Sequence, residues 1–282
     1  KISVTGLNGG HSGMDIHIGL GNANKIMNRL FFDAFENFGL RISEINGGSL
    51  RNAIPRESTA TVVVDSISNE PFLFETNELI NNIKAEFSTL EPNLTIAISE
   101  TKAPENVMPI GVQEGLIKSI YTALNGVYRM SPDIADLVET SNNIARVLVK
   151  EGQIKVGCLT RSSSETGKFD LANSIRSAFE LSGCEVELSG SYPGWQPNID
   201  SDILKVLGNL YEELHGEKAK IAACHAGLEC GILGQNYPSM DMVSFGPTIK
   251  GAHSPDERAH IKSTQKFWNF LKEILKNTPK RG

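Results

Sequence analysis

Leu40-Arg41-Ile42-Ser43-Glu44-Ile45-Asn46-Gly47-Gly48 and, shortly after, Thr59-Ala60-Thr61-Val62-Val63-Val64-Asp65 are two β patterns with a glycine turn and no helical stretch between them. β-Branched residues in alternation, bounded by Gly and Asn, favour a half-buried pleated strand. Upstream, residues 18–37 place Leu20, Ala23, Ile26, Met27, Leu30 and Phe31 at helical spacing. Before that helix, Lys1-Ile2-Ser3-Val4-Thr5 alternates as a strand and runs into the turn Gly9-Gly10-His11-Ser12-Gly13. Downstream, Glu75 to Leu90 puts Leu79, Ile80, Ile83 and Phe87 on one helix face, and Leu94 to Ile98 reads as a closing strand. The order is β-α-β-β-α-β, the split-βαβ pattern of an antiparallel sheet with helices on one face.

Residues 102–195 read as a looser second copy of that lobe. A helix is expected over Val112 to Leu124, strands over Ile134 to Thr140, Ala145 to Lys150 and Gln153 to Thr160, a helix over 167–182 and a strand over Glu185 to Leu188. Ser49-Leu50-Arg51-Asn52-Ala53-Ile54 and Thr140-Ser141-Asn142-Asn143-Ile144-Ala145 hold matching places ahead of strands. Tyr192-Pro193-Gly194-Trp195-Gln196-Pro197-Asn198 reads as a crossover to a different style of chain. Beyond it come an expected helix over 201–215, a strand over Ala219 to Cys224, a helical turn over Leu228 to Leu233, an apolar strand over Met240 to Phe245 and a helix over 262–277. The fold class is therefore α/β, in the form of an α+β two-lobed domain over 1–195 (lobes about 1–101 and 102–195) and an α/β segment over 196–282. Two strands are too few to close a sheet, so that segment is expected to need partner strands from elsewhere and to expose an apolar edge.

The 282 residues contain 40% hydrophobic and 21% charged side chains, ordinary for globular chains. Twenty-seven Lys and Arg against 33 Asp and Glu give a net charge of −6, without the basic footprint of a nucleic-acid or anionic-membrane binder. Apolar runs stay below the ~18 residues of a membrane-spanning helix, and the opening residues lack a secretory pattern. Cys158, Cys184, Cys224 and Cys230 lack zinc-finger or Cys-x-x-Cys spacing and read as reduced thiols of a cytoplasmic protein. The chain opens at Lys1 inside a strand pattern, as expected of a portion of something longer.

Candidate chemistry lies in loops. His253 sits in Phe245-Gly246-Pro247-Thr248-Ile249-Lys250-Gly251-Ala252-His253-Ser254-Pro255-Asp256-Glu257, a strand end opening into a Gly/Pro-rich loop, where α/β sheets present functional groups. An imidazole there with carboxylates three and four residues on suits a zinc ligand with supporting acids, or simply a polar loop histidine. His11 lies in a glycine turn whose backbone can approach a ligand, or in a plain hairpin. Arg161 ends a strand at a Ser-rich loop, where a guanidinium either solvates or clamps a carboxylate bidentately. Glu212-Glu213-Leu214-His215 looks like a metal motif but falls on an amphipathic helix and reads as a solvated face. No phosphate-binding, dinucleotide-binding or nucleophile-elbow motif is present.

Five ordered strings carry a resemblance. Gly9-Gly10-His11-Ser12-Gly13-Met14-Asp15-Ile16-His17, Asn52-Ala53-Ile54-Pro55-Arg56-Glu57, Tyr192-Pro193-Gly194-Trp195-Gln196-Pro197, His225-Ala226-Gly227-Leu228-Glu229-Cys230-Gly231 and the His253 loop together resemble the aminoacyl-histidine dipeptidase branch of the di-zinc exopeptidases, the family of carnosinase and carboxypeptidase G. The likeness runs along essentially the whole chain. It implies a lid domain over about 1–195 and the C-terminal part of a catalytic domain over 196–282. The family's His-x-Asp motif and zinc-binding Glu-Glu pair have no counterpart here, so the N-terminal catalytic half is expected to be lacking and the chain alone to be inactive.

What the resemblance implies for the site is specific. The activity would be zinc-dependent hydrolysis of dipeptides, notably Xaa-His, by an activated water, with two zinc ions (or other divalent metals) and His253 as one ligand. His11 would stabilise the transition state, Arg161 would hold the substrate carboxylate, Asn52 or Asn143 would add a donor, and Glu229 would contact the free amine. The dipeptide would be the partner, with neither nucleic acid nor membrane, and a second copy of the chain could complete a homodimer. A related amide hydrolase or deacylase of the same fold, and a non-catalytic binding or dimerisation module, are the competing readings.

Overall fold

The computed structural model describes residues 1–196, 198, 200–223, 229–250 and 257–278. The chain divides into two compact units, one built on Lys1–Gly194 and one on Trp195–Ala223 with the described residues after 228.

In the first unit, β1 (Ile2–Thr5), α1 (Ala23–Phe38), β3 (Arg41–Gly48), β5 (Ser58–Val63), α2 (Asn69–Phe87) and β6 (Thr95–Ile98) give the expected β-α-β-β-α-β order. A two-residue ribbon, β2 (Gly10–His11) with β4 (Ala53–Ile54), and two 3-10 turns, at Ile16–Ile18 and Ser66–Ser68, are inserted into it. Local signals explain the helix ends. The Asn22 side chain accepts from the N–H groups of Asn24 and Lys25 at the start of α1, and Gly39, at φ +62°, closes it with N–H bonds back to Ala34 and Phe35.

The second half departs from the expected repeat. It runs α3 (Ile110–Thr122), β7 (Gly126–Met130), β8 (Val138–Lys150), β9 (Gln153–Ser162), α4 (Glu165–Glu180), without an opening or a closing strand. The two strands expected over Ile134 to Lys150 are one long strand, because the polar run Thr140 to Asn143 is buried and hydrogen-bonded rather than turned out to water. Glu185 to Leu188 is not a strand; Val186 leans on the core without a strand neighbour. β8 and β9 are joined by Glu151-Gly152, both at positive φ (51° and 76°), the tight hairpin turn that matches strand twist.

The halves also share one sheet. Its order is β6-β1-β5-β3-β8-β7, with β9 along the other edge of β8, and all these pairings are antiparallel. β3 pairs with residues 146–149 of β8, and β7 with residues 138–142, so β8 ties the halves together. One core follows: Ile2, Val4, Ile42 and Ile45 of the strands pack with Ile26 and Leu30 of α1, Ile83 of α2, Ile117 of α3 and Leu171 of α4. At about 1.5–3 kcal/mol for each buried aliphatic side chain, this layer dominates the stabilisation of the unit.

In the second unit, α5 (Asp202–His215), α6 (Glu229–Asn236) and α7 (Ile261–Asn277) accompany a two-residue ribbon, β10 (Ile249–Lys250) with β11 (Arg258–Ala259). Ser201 and Gly216 cap α5, and the His260 side chain caps α7 by accepting from Ser263 N–H. α5 and α7 meet through Tyr211 and Phe270, edge to face at 5.4 Å. The strands expected over Ala219 to Cys224 and Met240 to Phe245 are absent from the described residues there. Among the described residues no strand pairs with either apolar run, whereas Phe245 packs on Phe267 and Phe270.

Candidate active site

His11 is placed by the β2–β4 ribbon. Gly10 pairs with Ile54 and His11 with Ala53, and Ser12 N–H donates to the Asn52 carbonyl at 2.8 Å. The turn then folds back on itself: His11 N–H donates to Asp15 Oδ2 at 2.7 Å, and Asp15 N–H to the His11 carbonyl at 2.9 Å. The imidazole Nδ1 accepts from Gly13 N–H and from Met14 N–H, each at 3.2 Å. Glycine is required at Gly9, where φ is +64° and a side chain would strike Arg56.

The ribbon lies over β8. Asn143, completely buried, donates through Nδ2 to the carbonyls of Ala53 (2.8 Å) and Arg51 (3.4 Å), and its Oδ1 accepts from Asn22 Nδ2 at 3.3 Å. Successive residues of a strand alternate faces, so Ser141 shares the face of Asn143. Arg161 of β9 stands directly across from Ser141 and therefore points to the same side. Gly13 closes the arrangement. A methyl group on Gly13 would lie 3.1 Å from His11 Cε1, 3.3 Å from His11 Nδ1 and 3.4 Å from Arg161 Nε. The imidazole and the guanidinium, both half-buried, thus border the same methyl-sized space.

The strand end that carries Arg161 is braced. Ser162 Oγ pairs with Thr140 Oγ1 at 2.8 Å and accepts from Ser164 N–H at 3.1 Å, while Ser164 caps α4. In the first turn of α4, Glu165 accepts from Lys168 Nζ (2.8 Å) and Gly194 N–H (2.7 Å), and Lys168 Nζ also donates to the Tyr192 carbonyl. Burial acts to raise the Glu165 carboxyl, but the Lys168 and Gly194 hydrogen bonds outweigh it and hold its pKa below the ordinary value.

The other expected site residues are distributed as follows. Asn52, half-buried, sits in the turn next to the ribbon. Asn143 spends its donors on Arg51 and Ala53, one on either side of Asn52. Glu229 is exposed, as the first residue of α6 in the second unit. His253, Asp256 and His225 lie outside the described residues. Glu212 and Glu213 are exposed on α5, as a solvated face requires, whereas the His215 ring packs 4.6 Å from that of Tyr211. Cys158, Cys184 and Cys230 are free thiols. Sequence reasoning missed Asp15 and the Gly13–Met14 amides; the carboxylate four residues after His11 was the available signal.

The model of peptidase family M20/M25/M40 matches residues 9–277. The chain belongs to this family. It is 38% identical over 279 residues, 99% of its length, to "Cytosol non-specific dipeptidase" of Escherichia coli (strain K12), of which it covers 58%. Its structure is similar to that of aminoacylhistidine dipeptidase from Vibrio alginolyticus, with a TM-score of 0.90 and 40% identity, covering 100% of this chain and 57% of the other. It thus spans a little over half the length of the relatives it matches. Among the described residues of this M20/M25/M40 chain, no group of three or more His, Cys, Asp or Glu could by itself hold the zinc pair that the family resemblance implies. Nor is any described helix long and apolar enough to cross a membrane.

Proposed function

We propose that the chain works in dipeptide hydrolysis, with His11 as the donor to the reacting carbonyl and Arg161 as the clamp for the substrate carboxylate. The observation that carries this reading is the meeting of His11 and Arg161 around Gly13. One residue of extended chain spans at most about 3.3–3.6 Å. An oxygen held by the imidazole and a carboxylate held by the neighbouring guanidinium therefore suit a substrate with a single residue beyond the scissile bond. The amide oxygen gains charge only as the carbon becomes tetrahedral, so a donor aimed at it strengthens most in the transition state. Arg161 offers the planar donor pair that matches a carboxylate.

Asn52, beside the ribbon, is the better donor of the two asparagines, and Asn143 acts through it by holding the turn. A metal pair would draw on ligands outside the described residues, His253 among them. Cytoplasmic residence is part of the proposal, supported by the cysteine pattern and by the printed name of the Escherichia coli relative, and so is pairing with a second copy of the chain.

The test is turnover of Xaa-His dipeptides by the longest form of the protein that carries this chain, with the variants made in that form. His11→Ala should lower kcat by about 10²-fold or more, as loss of an oxyanion donor does. Arg161→Ala should mainly raise KM, and should abolish the preference for a free C-terminal carboxylate over its amide. A kcat within about twofold of wild type for His11→Ala would remove His11 from the chemistry. Turnover of N-acyl substrates without turnover of dipeptides would favour a deacylase.

A further inference from the structure

The two N–H groups that meet at His11 Nδ1 say more than where the ring lies. Side-chain hydrogens and ring tautomers are open to choice, but a backbone N–H has its direction set by the peptide plane. Gly13 N–H and Met14 N–H both point at Nδ1 from 3.2 Å. An acceptor of two N–H bonds must present a lone pair; a hydrogen on Nδ1 would face two others. In neutral imidazole the proton is then on Nε2.

We propose that the Gly13–Met14 turn is a lock on the protonation of His11, holding it as a neutral ring with its hydrogen on Nε2, so that it serves as a hydrogen-bond donor rather than as a positive charge. Gly13 and Met14 act as positioning residues through their amides, and Asp15 through its carboxylate. Among the described residues two charged groups border the turn, and they pull in opposite directions. Asp15 favours a cationic ring, but Oδ2 is engaged by the His11 N–H. The Arg161 guanidinium, against the same face of Gly13, disfavours a second positive charge. Protonation would break both Nδ1 hydrogen bonds and place two like charges side by side. Gly13 has no side chain because a Cβ would crowd the ring at Cε1 and Nδ1. A neutral donor also keeps its proton while the substrate oxygen gains charge, which suits stabilisation rather than proton transfer.

The catalytic meaning of the lock rests on the role proposed for His11; the protonation state does not, and is measured without turnover. The experiment is proton–nitrogen correlation of the imidazole in protein carrying nitrogen-15 histidine, with His11 assigned from the spectrum of His11→Gln. The expected result is one neutral tautomer, protonated at Nε2, with a titration midpoint at least about one pH unit below the ordinary 6.5. A proton on Nδ1, or a ring half-protonated at about 6.5 or above, overturns the lock. Met14→Pro removes one of the two donors, and its exposed side chain costs little to lose. The midpoint should then rise toward the ordinary value and kcat fall more than KM changes; an unmoved midpoint in a folded variant overturns the lock as well. His11→Gln, a neutral donor, should retain more activity than His11→Ala. If the ring is locked but neither variant alters kcat, the functional reading fails and the lock stands.

Discussion

Asn125→Ala should destabilise the first unit at one identifiable peptide bond. On one edge of β8, β7 ends at Asn142 and β3 begins at Arg146, so Ile144 has no strand neighbour there. Side-chain amides fill the gap. Ile144 N–H donates to Asn125 Oδ1 at 2.9 Å, and its carbonyl accepts from Asn22 Nδ2 (3.1 Å) and Asn24 Nδ2 (3.2 Å). Ile144 is fully buried, so truncating Asn125 leaves its N–H unpaired. An unpaired buried donor costs about 1–3 kcal/mol. Asn22 Nδ2 also loses the Asn125 bond (2.9 Å) but keeps Asn143 Oδ1 and the Ile144 carbonyl, so its loss adds little. Because Asn125 is only partly buried, water can approach from its side, which places the expected cost at about 1–2 kcal/mol. Amide hydrogen exchange reads the effect at Ile144 itself, and urea unfolding reads it for the whole unit. Protection at Ile144 should fall by about tenfold, with the urea midpoint lowered at unchanged slope. Protection at Ile144 and a stability both within about 0.5 kcal/mol of wild type would show that the sheet does not depend on this amide bridge.

Further outcomes follow from the same geometry. Gly48→Ala should cost about 3 kcal/mol or more by urea unfolding, since φ is +68° and a Cβ would drive into the Ala145 carbonyl oxygen where β3 meets β8. Gly152→Ala, at φ +76° with open space around it, should cost only the conformational share of about 1–2 kcal/mol. Burial pushes the Cys158 thiol up to about 11, so thiol reagents at mildly alkaline pH should spare it in the native protein and modify it after unfolding. The unfolded thiol ionises first, near 9, so Cys158 contributes a loss of stability as pH rises from about 9 to about 11; Cys158→Ala should flatten the stability profile in that window.

The first lobe was legible in the sequence because its segments bury one face each. Ile2 and Val4 alternate with exposed or half-exposed neighbours, and Ile26, Leu30 and Ala34 recur at helical spacing, so the period alone specifies element and face. The second half failed that test at Thr140-Ser141-Asn142-Asn143. Polar residues in a row argue for a loop only when water is their partner. Here Thr140 pairs with Ser162, Asn142 with the Leu124 carbonyl, and Asn143 with the Arg51 and Ala53 carbonyls, all contacts between segments far apart in sequence. The same limitation hid the shared sheet, because β3 pairs with β8 across about a hundred residues and nothing local in either strand announces its neighbour.

The candidate site was readable in part for a related reason. His11 and Arg161 could be singled out because each stands at a glycine- or serine-rich strand end, but their meeting depends on register. Moving β9 by one residue against β8 would send Arg161 to the opposite face, away from the ribbon. That register is held by the two-residue turn at Glu151-Gly152 at one end and by the Thr140–Ser162 hydroxyl pair at the other. Buried polar residues on β8 therefore do what an apolar strand could not. Hydrophobic packing tolerates sliding among similar side chains, whereas each misplaced amide or hydroxyl would leave a buried group unpaired at about 1–3 kcal/mol. The run Thr140 to Asn143 fixes which residue of β9 faces Gly13, and Asn143 fixes the height of the ribbon that presents His11. On this account the polar stretch that obscured the fold in the sequence is what sets the geometry of the site.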